Sequence, residues 1–339
     1  MSVAIVSPGF PDTPGGVTDH TARLVRHWRA ADREPLVWPR ARGDTRALAA
    51  AWRDEGAAAI LIQYVPFLYG RRGLSSFPGR LARAGRAAGL RVGVFVHEPW
   101  VPRTRLPWLV LSPLQRRQLL ELLAGCDLAF TPVPAWRSLL GGRAELLPVG
   151  STLGEPPPAP GGPPLPAPVV FSPFAAGLNW EWIVAAAEEL GAAPRLSVIG
   201  ATWEQARHDH VARRYADPAW EWRGRRPAAE VLDTLRRARL VLAPFSDGLT
   251  SRRTSAMAAL SVGARVVSST GPLCDERLAD AGVALAADRH AFVSLARAVW
   301  QTPDQPADRA ARLRWYERTL DPRRWDAYLL RRLLQEDGE

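Results

Sequence analysis

At 339 residues the chain is longer than one hydrophobic core ordinarily serves, and an apolar content of 47% excludes a disordered protein. The formal net charge is +10; all 44 basic residues are Arg, and residues 1–155 carry 20 of them against 12 acids. A basic first half suits an anionic membrane surface, a phosphorylated ligand or nucleic acid. The sequence has no zinc-finger spacing and no aromatic-basic ribonucleoprotein motif, so no nucleic-acid partner is expected. Cys126 and Cys274 stand far apart in apolar surroundings, as buried free thiols of a reducing compartment do. The first residues, Met1–Ser7, run straight into a strand-like segment with no charged leader, and no run of 18 apolar residues follows. The expectation is a cytoplasmic protein without signal peptide or spanning helix, its basic half leaving open a peripheral contact with anionic membrane at the inner face.

In chain order, apolar runs alternate with helical stretches. Strands are predicted at Val3–Ser7, Pro35–Trp38, Ala59–Gln63, Val92–Val96, Leu128–Thr131 and Glu145–Leu147. Helices are predicted at about Val17–Ala31, Thr45–Glu55, Pro78–Ala88 and Pro113–Ala124. Residues 152–168 are so rich in Pro and Gly that they read as a semi-rigid linker. The rhythm then resumes, with strands at Val169–Ser172, Arg195–Ile199, Trp220–Arg223, Leu240–Ala243, Arg265–Ser268 and Val283–Leu285. Between them helices are expected near Trp180–Leu190, Trp203–Arg214, Ala228–Arg237 and Ser255–Val262, and the tail from Arg289 to Gln335 reads as wholly helical. Continuous apolar strands alternating with amphipathic helices imply α/β architecture, here two doubly wound Rossmann-like domains. The predicted boundaries are 1–151, the linker 152–168, 169–320, and a closing helix 321–339 that packs back across the domains through Trp325, Tyr328, Leu329 and Leu333. Ligands of such sheets bind beyond the carboxyl ends of the strands, and a central cleft faced by both domains is the expected place.

Three strand ends carry chemistry. The first strand leads through a Pro-rich loop to Gly15-Gly16 and a helix, which lets a ligand approach backbone N–H groups without matching the dinucleotide fingerprint. The fourth ends in His97-Glu98-Pro99-Trp100, where His97 is placed to donate a hydrogen bond or to sit as a structural His beside Glu98. The segment Ile62–Gly70 mixes polar and aromatic residues that suit either sugar stacking or plain loop packing. His208 and His210, two apart in a polar helix, point to different faces, and the acids do not cluster, so no metal is expected.

The most informative stretch is Phe245-Ser246-Asp247-Gly248-Leu249-Thr250-Ser251-Arg252-Arg253-Thr254-Ser255, between an apolar strand and a small-residue helix. Orphan N–H groups and the positive end of a helix dipole favour an anion, and two guanidinium groups add bidentate donors suited to phosphate. The plainer alternative is a helix start with solvated Arg.

Together these pieces resemble the retaining GT-B glycosyltransferases of glycosyltransferase family 4, over nearly the whole chain. The most specific part runs from Pro244 to Val267 and on to Ser269-Thr270-Gly271, and Gln63-Tyr64-Val65-Pro66 with His97-Glu98-Pro99-Trp100 resembles a bacterial branch. The resemblance implies a hexosyltransferase-type enzyme that moves a sugar from a nucleoside-diphosphate donor to an acceptor (a glycan, a lipid-linked molecule or a small molecule) with retention and without metal or other cofactor. It makes the first domain acceptor-binding and the second donor-binding. Asp247 and His97 take the catalytic roles. Gly15, Gly16, Gly248, Thr250, Arg252, Arg253 and Ser255 take the donor-binding ones.

The departures are equally specific. The family places two Glu eight positions apart, where this chain has Asp247 and Ser255, so the ribose contact loses its carboxylate. Its basic pair after the first strand of the second domain is missing, because Phe171–Asn179 holds no cation. Since a diphosphate leaving group must be neutralised, Arg252 and Arg253 are expected to take over that work. Two rivals stand beside the transferase: a nucleotide-sugar isomerase or hydrolase, which needs no second substrate, and a non-catalytic GT-B scaffold.

Overall fold

The computed structural model of the chain describes residues 1–155, 162–172, 177–191, 195–202, 212–215 and 217–336. They fall into two compact units, Met1–Val149 with Pro322–Glu339, and Gly150–Asp321. Each unit is built on one six-stranded sheet whose pairings are all parallel.

In the first unit the strands are β1 (Ser2–Val6), β2 (Leu36–Trp38), β3 (Ala57–Tyr64), β4 (Arg91–Val96), β5 (Leu128–Thr131) and β6 (Ala144–Leu146), in the order β2-β1-β3-β4-β5-β6. Strand β3 shows why the sequence is apolar throughout. Its successive side chains point to opposite faces, and both faces are covered. Ile60 and Ile62 pack with Val6, Leu81 and Leu119, whereas Leu61 joins Leu24, Trp28 and Phe130 on the other side. Each such fully buried aliphatic side chain contributes about 1.5–3 kcal/mol.

The helix Pro322–Leu334 closes this second face with Leu329, Leu330, Leu333 and Leu334. It is tied there by a buried ion pair. Asp326, 2% exposed, accepts from Arg23 Nε at 2.9 Å and from the Arg23 terminal nitrogen at 2.8 Å. His27 Nδ1 lies 2.7 Å from the same carboxylate, and a second Arg23 terminal nitrogen donates to the carbonyl of Val149 at 2.5 Å.

The second unit holds β7 (Val169–Phe171), β8 (Ser197–Ile199), β9 (Glu221–Gly224), β10 (Val241–Ala243), β11 (Val266–Ser269) and β12 (Ala284–Ala286), ordered β12-β11-β10-β7-β8-β9. Of the expected linker, residues 156–161 lie outside the described residues, and the end of it lies against this unit. Leu165 is buried in the core and donates its N–H to Arg237 O at 2.9 Å, while Arg237 Nε donates to Pro163 O at 2.9 Å.

Several expectations need correction. The helical tail is three helices, Arg289–Gln301, Pro306–Thr319 and Pro322–Leu334. Thr302 and Gln305, each preceding a proline, are extended, as steric clash with the pyrrolidine ring requires, and Pro306 and Pro322 each open a new helix. The helix expected at Pro113–Ala124 begins at Leu106 and carries Pro113 inside it. Short helices at Pro66–Tyr69 and Pro134–Leu139 escape a periodicity search because neither completes two turns. Most of the helix expected at Trp203–Arg214, with His208 and His210, lies outside the described residues. No helix among the described residues is long and apolar enough to cross a membrane.

In both sheets the strand order reverses once, between β1 and β3 in the first and between β7 and β10 in the second. The loops leaving the carboxyl ends at these two switch points are where an open parallel sheet leaves room for a ligand.

Candidate functional site

The loop after β10 is held from both sides. Pro244 ends the strand because it has no N–H for the ladder. On one side Leu178 and Phe245 form an antiparallel bridge, Asn179 donates to Pro244 O at 2.8 Å, and Ser246 donates to Gly177 O at 2.7 Å. On the other, Leu249 donates to Ser269 O at 3.2 Å and Leu273 to Asp247 O at 2.9 Å. Gly248 reverses the chain with φ +92°, a conformation that disfavours any side chain. A Cβ on Gly271 would stand 2.5 Å from the carbonyl carbon of Asp247, so these two loops meet backbone to backbone.

This turn folds the cations back onto the acid. One oxygen of Asp247 accepts from Arg252 and the other from Arg253, so two guanidinium groups share one carboxylate and the cluster carries one net positive charge. The Arg253 guanidinium carbon lies 4.7 Å from the ring centroid of Phe245, within cation–π range, and its Nε is buried without a hydrogen-bond partner among the described residues. A Cβ on Gly177 would lie 3.7 Å from both terminal nitrogens of Arg253. The Arg253 head therefore sits against the loop that leaves β7. The helix Thr254–Ser261 follows at once, with no side-chain cap on its first turn. Thr250 is fully buried with its hydroxyl unpartnered among the described residues, and Ser255 is half-buried in the first turn of that helix. The structure thus brings Asp247, Gly248, Thr250, Arg252, Arg253 and Ser255 into one short stretch of loop and helix. Sequence reading treats Asp247 and the Arg pair as separate features; the glycine five positions before Arg253 is the signal that joins them.

In the first unit Gly15 precedes the helix Gly16–Ala30, and both glycines are exposed, with no atom within 4 Å of where a Cβ would stand. His97 follows β4 at the switch-point side of the sheet. It is buried, its N–H donates to Tyr64 O at 3.0 Å, and its Nε2 lies 2.6 Å from Gln63 Oε1. The two tyrosines of the aromatic segment beside it are core, whereas Phe67 is exposed. Tyr64 and Tyr69 are buried, Tyr69 donates its hydroxyl to Gln63 O at 2.8 Å, and burial pushes the Tyr64 phenol up to about 12.

One residue that sequence reading passes over belongs here. His20 lies one turn inside the helix Gly16–Ala30, its ring 5.1 Å from that of His97 and 4.8 Å from that of Phe95. Its Nδ1 and the Gln63 amide nitrogen are both buried without a hydrogen-bond partner among the described residues. Burial, then the charge of Arg23, then His97 drive its pKa well below the ordinary 6.5, against a raising hydrogen bond from Gln63. The unfolded chain therefore binds a proton near pH 6.5 that the folded chain refuses. Stability is complete above that value and declines as the pH falls below it, by up to about 1.4 kcal/mol per pH unit. His20→Asn should flatten this acid limb relative to the wild type, as denaturant titrations at a series of pH values will show. An unchanged slope would mean that His20 is protonated in the folded state.

No family model matches the chain, and no curated protein sequence matches it. Solved structures do resemble it. AviGT4, a glycosyltransferase involved in avilamycin A biosynthesis, superposes with a TM-score of 0.61 at 18% identity, covering 99% of both chains. WaaG, a glycosyltransferase involved in lipopolysaccharide biosynthesis, gives 0.63 at 12% identity over the full length of both. An α-glucosyltransferase in complex with UDP and DNA gives 0.58 at 11% identity, covering 99% of this chain and 100% of the other. At these identities the likeness is one of architecture: the chain has the GT-B fold of these glycosyltransferases.

Proposed function

We propose that the protein is a glycosyltransferase that moves a sugar from a nucleoside-diphosphate donor to a glycan, lipid-linked or small-molecule acceptor, with retention and without a metal, as its resemblance to family 4 implies. The observation that carries this reading is the position of Arg253. The loop leaving β7, where the family's basic pair would stand, has no cation in sequence, yet the Arg253 head reaches it from the loop after β10. Arg252 and Arg253, held side by side by Asp247, would stabilise the charge that grows on the departing diphosphate. Preorganisation matters here, because donors already in place cost little reorganisation during reaction.

In this reading the bond from the anomeric carbon to the diphosphate oxygen breaks and a bond to the acceptor oxygen forms. The acceptor's proton passes to the released phosphate. Asp247 exchanges part of its hold on the arginines for hydroxyls of the donor sugar, and His97, steadied by Gln63, supplies a hydrogen bond at the reacting centre. Gly248, Thr250 and Ser255 line the donor, with the Ser255 hydroxyl in the place of the family's carboxylate, and Gly15 and Gly16 leave backbone N–H groups open to phosphate.

Product analysis tests the reaction class. Incubation with a nucleotide sugar should release nucleoside diphosphate chiefly when an acceptor is present, with the sugar recovered on that acceptor. Full turnover of the donor without acceptor would make the protein a hydrolase or isomerase instead.

A further inference from the structure

The helix Leu106–Ala124 is built inside out. Its buried side holds Ser112 and Gln115 together with Leu119, Leu122 and Leu123, and the polar groups there are used. Gln115 accepts from Val101 N at 2.9 Å and donates to Arg72 O at 3.0 Å, while Gln118 accepts from Ser75 N at 2.6 Å and donates to the Tyr64 hydroxyl at 3.1 Å. The first half of its opposite face is apolar and exposed, and the ion pair of Arg117 and Glu121 occupies the second half. Leu106, Leu109, Val110 and Leu114 recur at three- and four-residue steps and are all exposed, Leu106 by 82% and Val110 by 65%, with an exposed Leu120 further along. Single exposed aliphatic side chains need no account, but four in the first half of one helix face mark a surface made to be covered.

Charge says by what. Residues 64–124 carry ten Arg and two Glu. One of those acids, Glu121, is already paired with Arg117 at 2.9 Å on the helix surface. Arg103 and Arg105 precede the stripe, Arg116 flanks it, and the exposed Arg71 and Arg72 stand on the segment that Gln115 holds against the helix. The aromatic residues there carry the arginines: the Arg105 guanidinium lies 4.7 Å from the ring centroid of Trp108, and that of Arg116 lies 5.7 Å from that of Trp100. A second copy placed face to face on this stripe would bring like charges together, which disfavours self-association. An apolar stripe between arginines, with tryptophans at its edge, is instead matched to the interface of an anionic lipid bilayer.

The geometry points to this face as a membrane-docking surface: the helix Leu106–Ala124 lies in the plane of an anionic lipid interface, leucines inserted among the acyl chains and arginines on the headgroups. Docking needs neither donor nor transfer, so it stands apart from the proposed reaction.

Flotation of the full chain with phosphatidylglycerol-containing and pure phosphatidylcholine vesicles, at low and high salt, tests it. The wild type should float with the anionic vesicles and much less with the neutral ones, and less as salt rises. Leu109→Ser/Val110→Ser/Leu114→Ser should weaken flotation by about tenfold or more with an unchanged circular dichroism spectrum. Arg103→Gln/Arg105→Gln/Arg116→Gln should remove the preference for anionic lipid. Equal flotation of the serine variant and the wild type overturns the proposal, as does a wild type that floats with neither vesicle. A dimer in sedimentation that the serine substitutions abolish, without vesicle binding, overturns it in favour of a protein partner.

Discussion

Arg252→Ala/Arg253→Ala is expected to lose glycosyl transfer by about a hundredfold or more, with folding preserved. The size follows from what the pair does. Two guanidinium groups on one carboxylate are stationed before any substrate arrives, and a leaving diphosphate has no other cation within its own loop. Stability should fall little, because Asp247 is 26% exposed and water reaches it when the arginines are gone. What is lost in the fold includes the two part-exposed ion pairs with Asp247 and a cation–π contact to Phe245 worth about 1 kcal/mol. The Arg252→Lys/Arg253→Lys variant separates charge from geometry. It keeps two cations but not the planar fork, so intermediate activity is expected. Steady-state kinetics on both variants, each with a melting curve, checks the prediction; wild-type turnover in the alanine variant would remove the arginines from the mechanism.

The largest effect on stability is expected far from that loop, at Asp326. Its carboxylate is the sole carboxylate bonded to the fully buried Arg23 among the described contacts, and it also meets His27. Asp326→Ala removes the carboxylate to which two nitrogens of the buried Arg23 guanidinium donate. Breaking a buried pair in this way costs about 3–5 kcal/mol, enough to lower the melting temperature of a unit this size by roughly 10 °C. The helix Pro322–Leu334 should loosen first, since Asp326 ties it to Arg23 and His27 of the helix Gly16–Ala30. Replacing both partners, Arg23→Met/Asp326→Leu, should cost less than Asp326→Ala alone, because no unpaired charge is then buried. The exposed pair of Arg29 and Glu34 is the control: Glu34→Ala should leave the melting curve where it was. Differential scanning calorimetry on the four proteins decides it, and a double variant less stable than the single one would contradict the argument.

How much of this could be read beforehand depends on which residues carry the signal. The parallel sheets were legible because strands such as Ala59–Ile62 and Val241–Ala243 are apolar on both faces and bounded by polar or Pro-rich turns. The division of the tail was equally present in the chain, at Pro303, Pro306 and Pro322, but helical composition masked it. The helix Leu106–Ala124 was expected only from Pro113, because a proline reads as a first helical position. Its exposed aliphatic face was not legible because polar and apolar residues stand on both sides of the helix. His20 was hidden for a related reason: it stands four residues before Leu24 and eight before Trp28, on the stripe that packs against the sheet. Nothing in that spacing tells a core histidine from one set beside His97. The residues of the loop after β10 were all visible, yet their alliance was not. It depends on a turn at Gly248 and on the close approach of Gly271, both of which are tertiary facts.

The central claim is that the loop from Asp247 to Ser255 binds a nucleoside-diphosphate sugar. Isothermal titration calorimetry of the full chain against UDP, GDP, ADP, TDP and their common sugar conjugates, without metal, tests it most directly. One base should give saturable binding with its diphosphate and its sugar conjugate, and Arg252→Ala/Arg253→Ala should abolish both. A well-folded wild type that binds none of them would contradict the account and leave a GT-B scaffold without a donor.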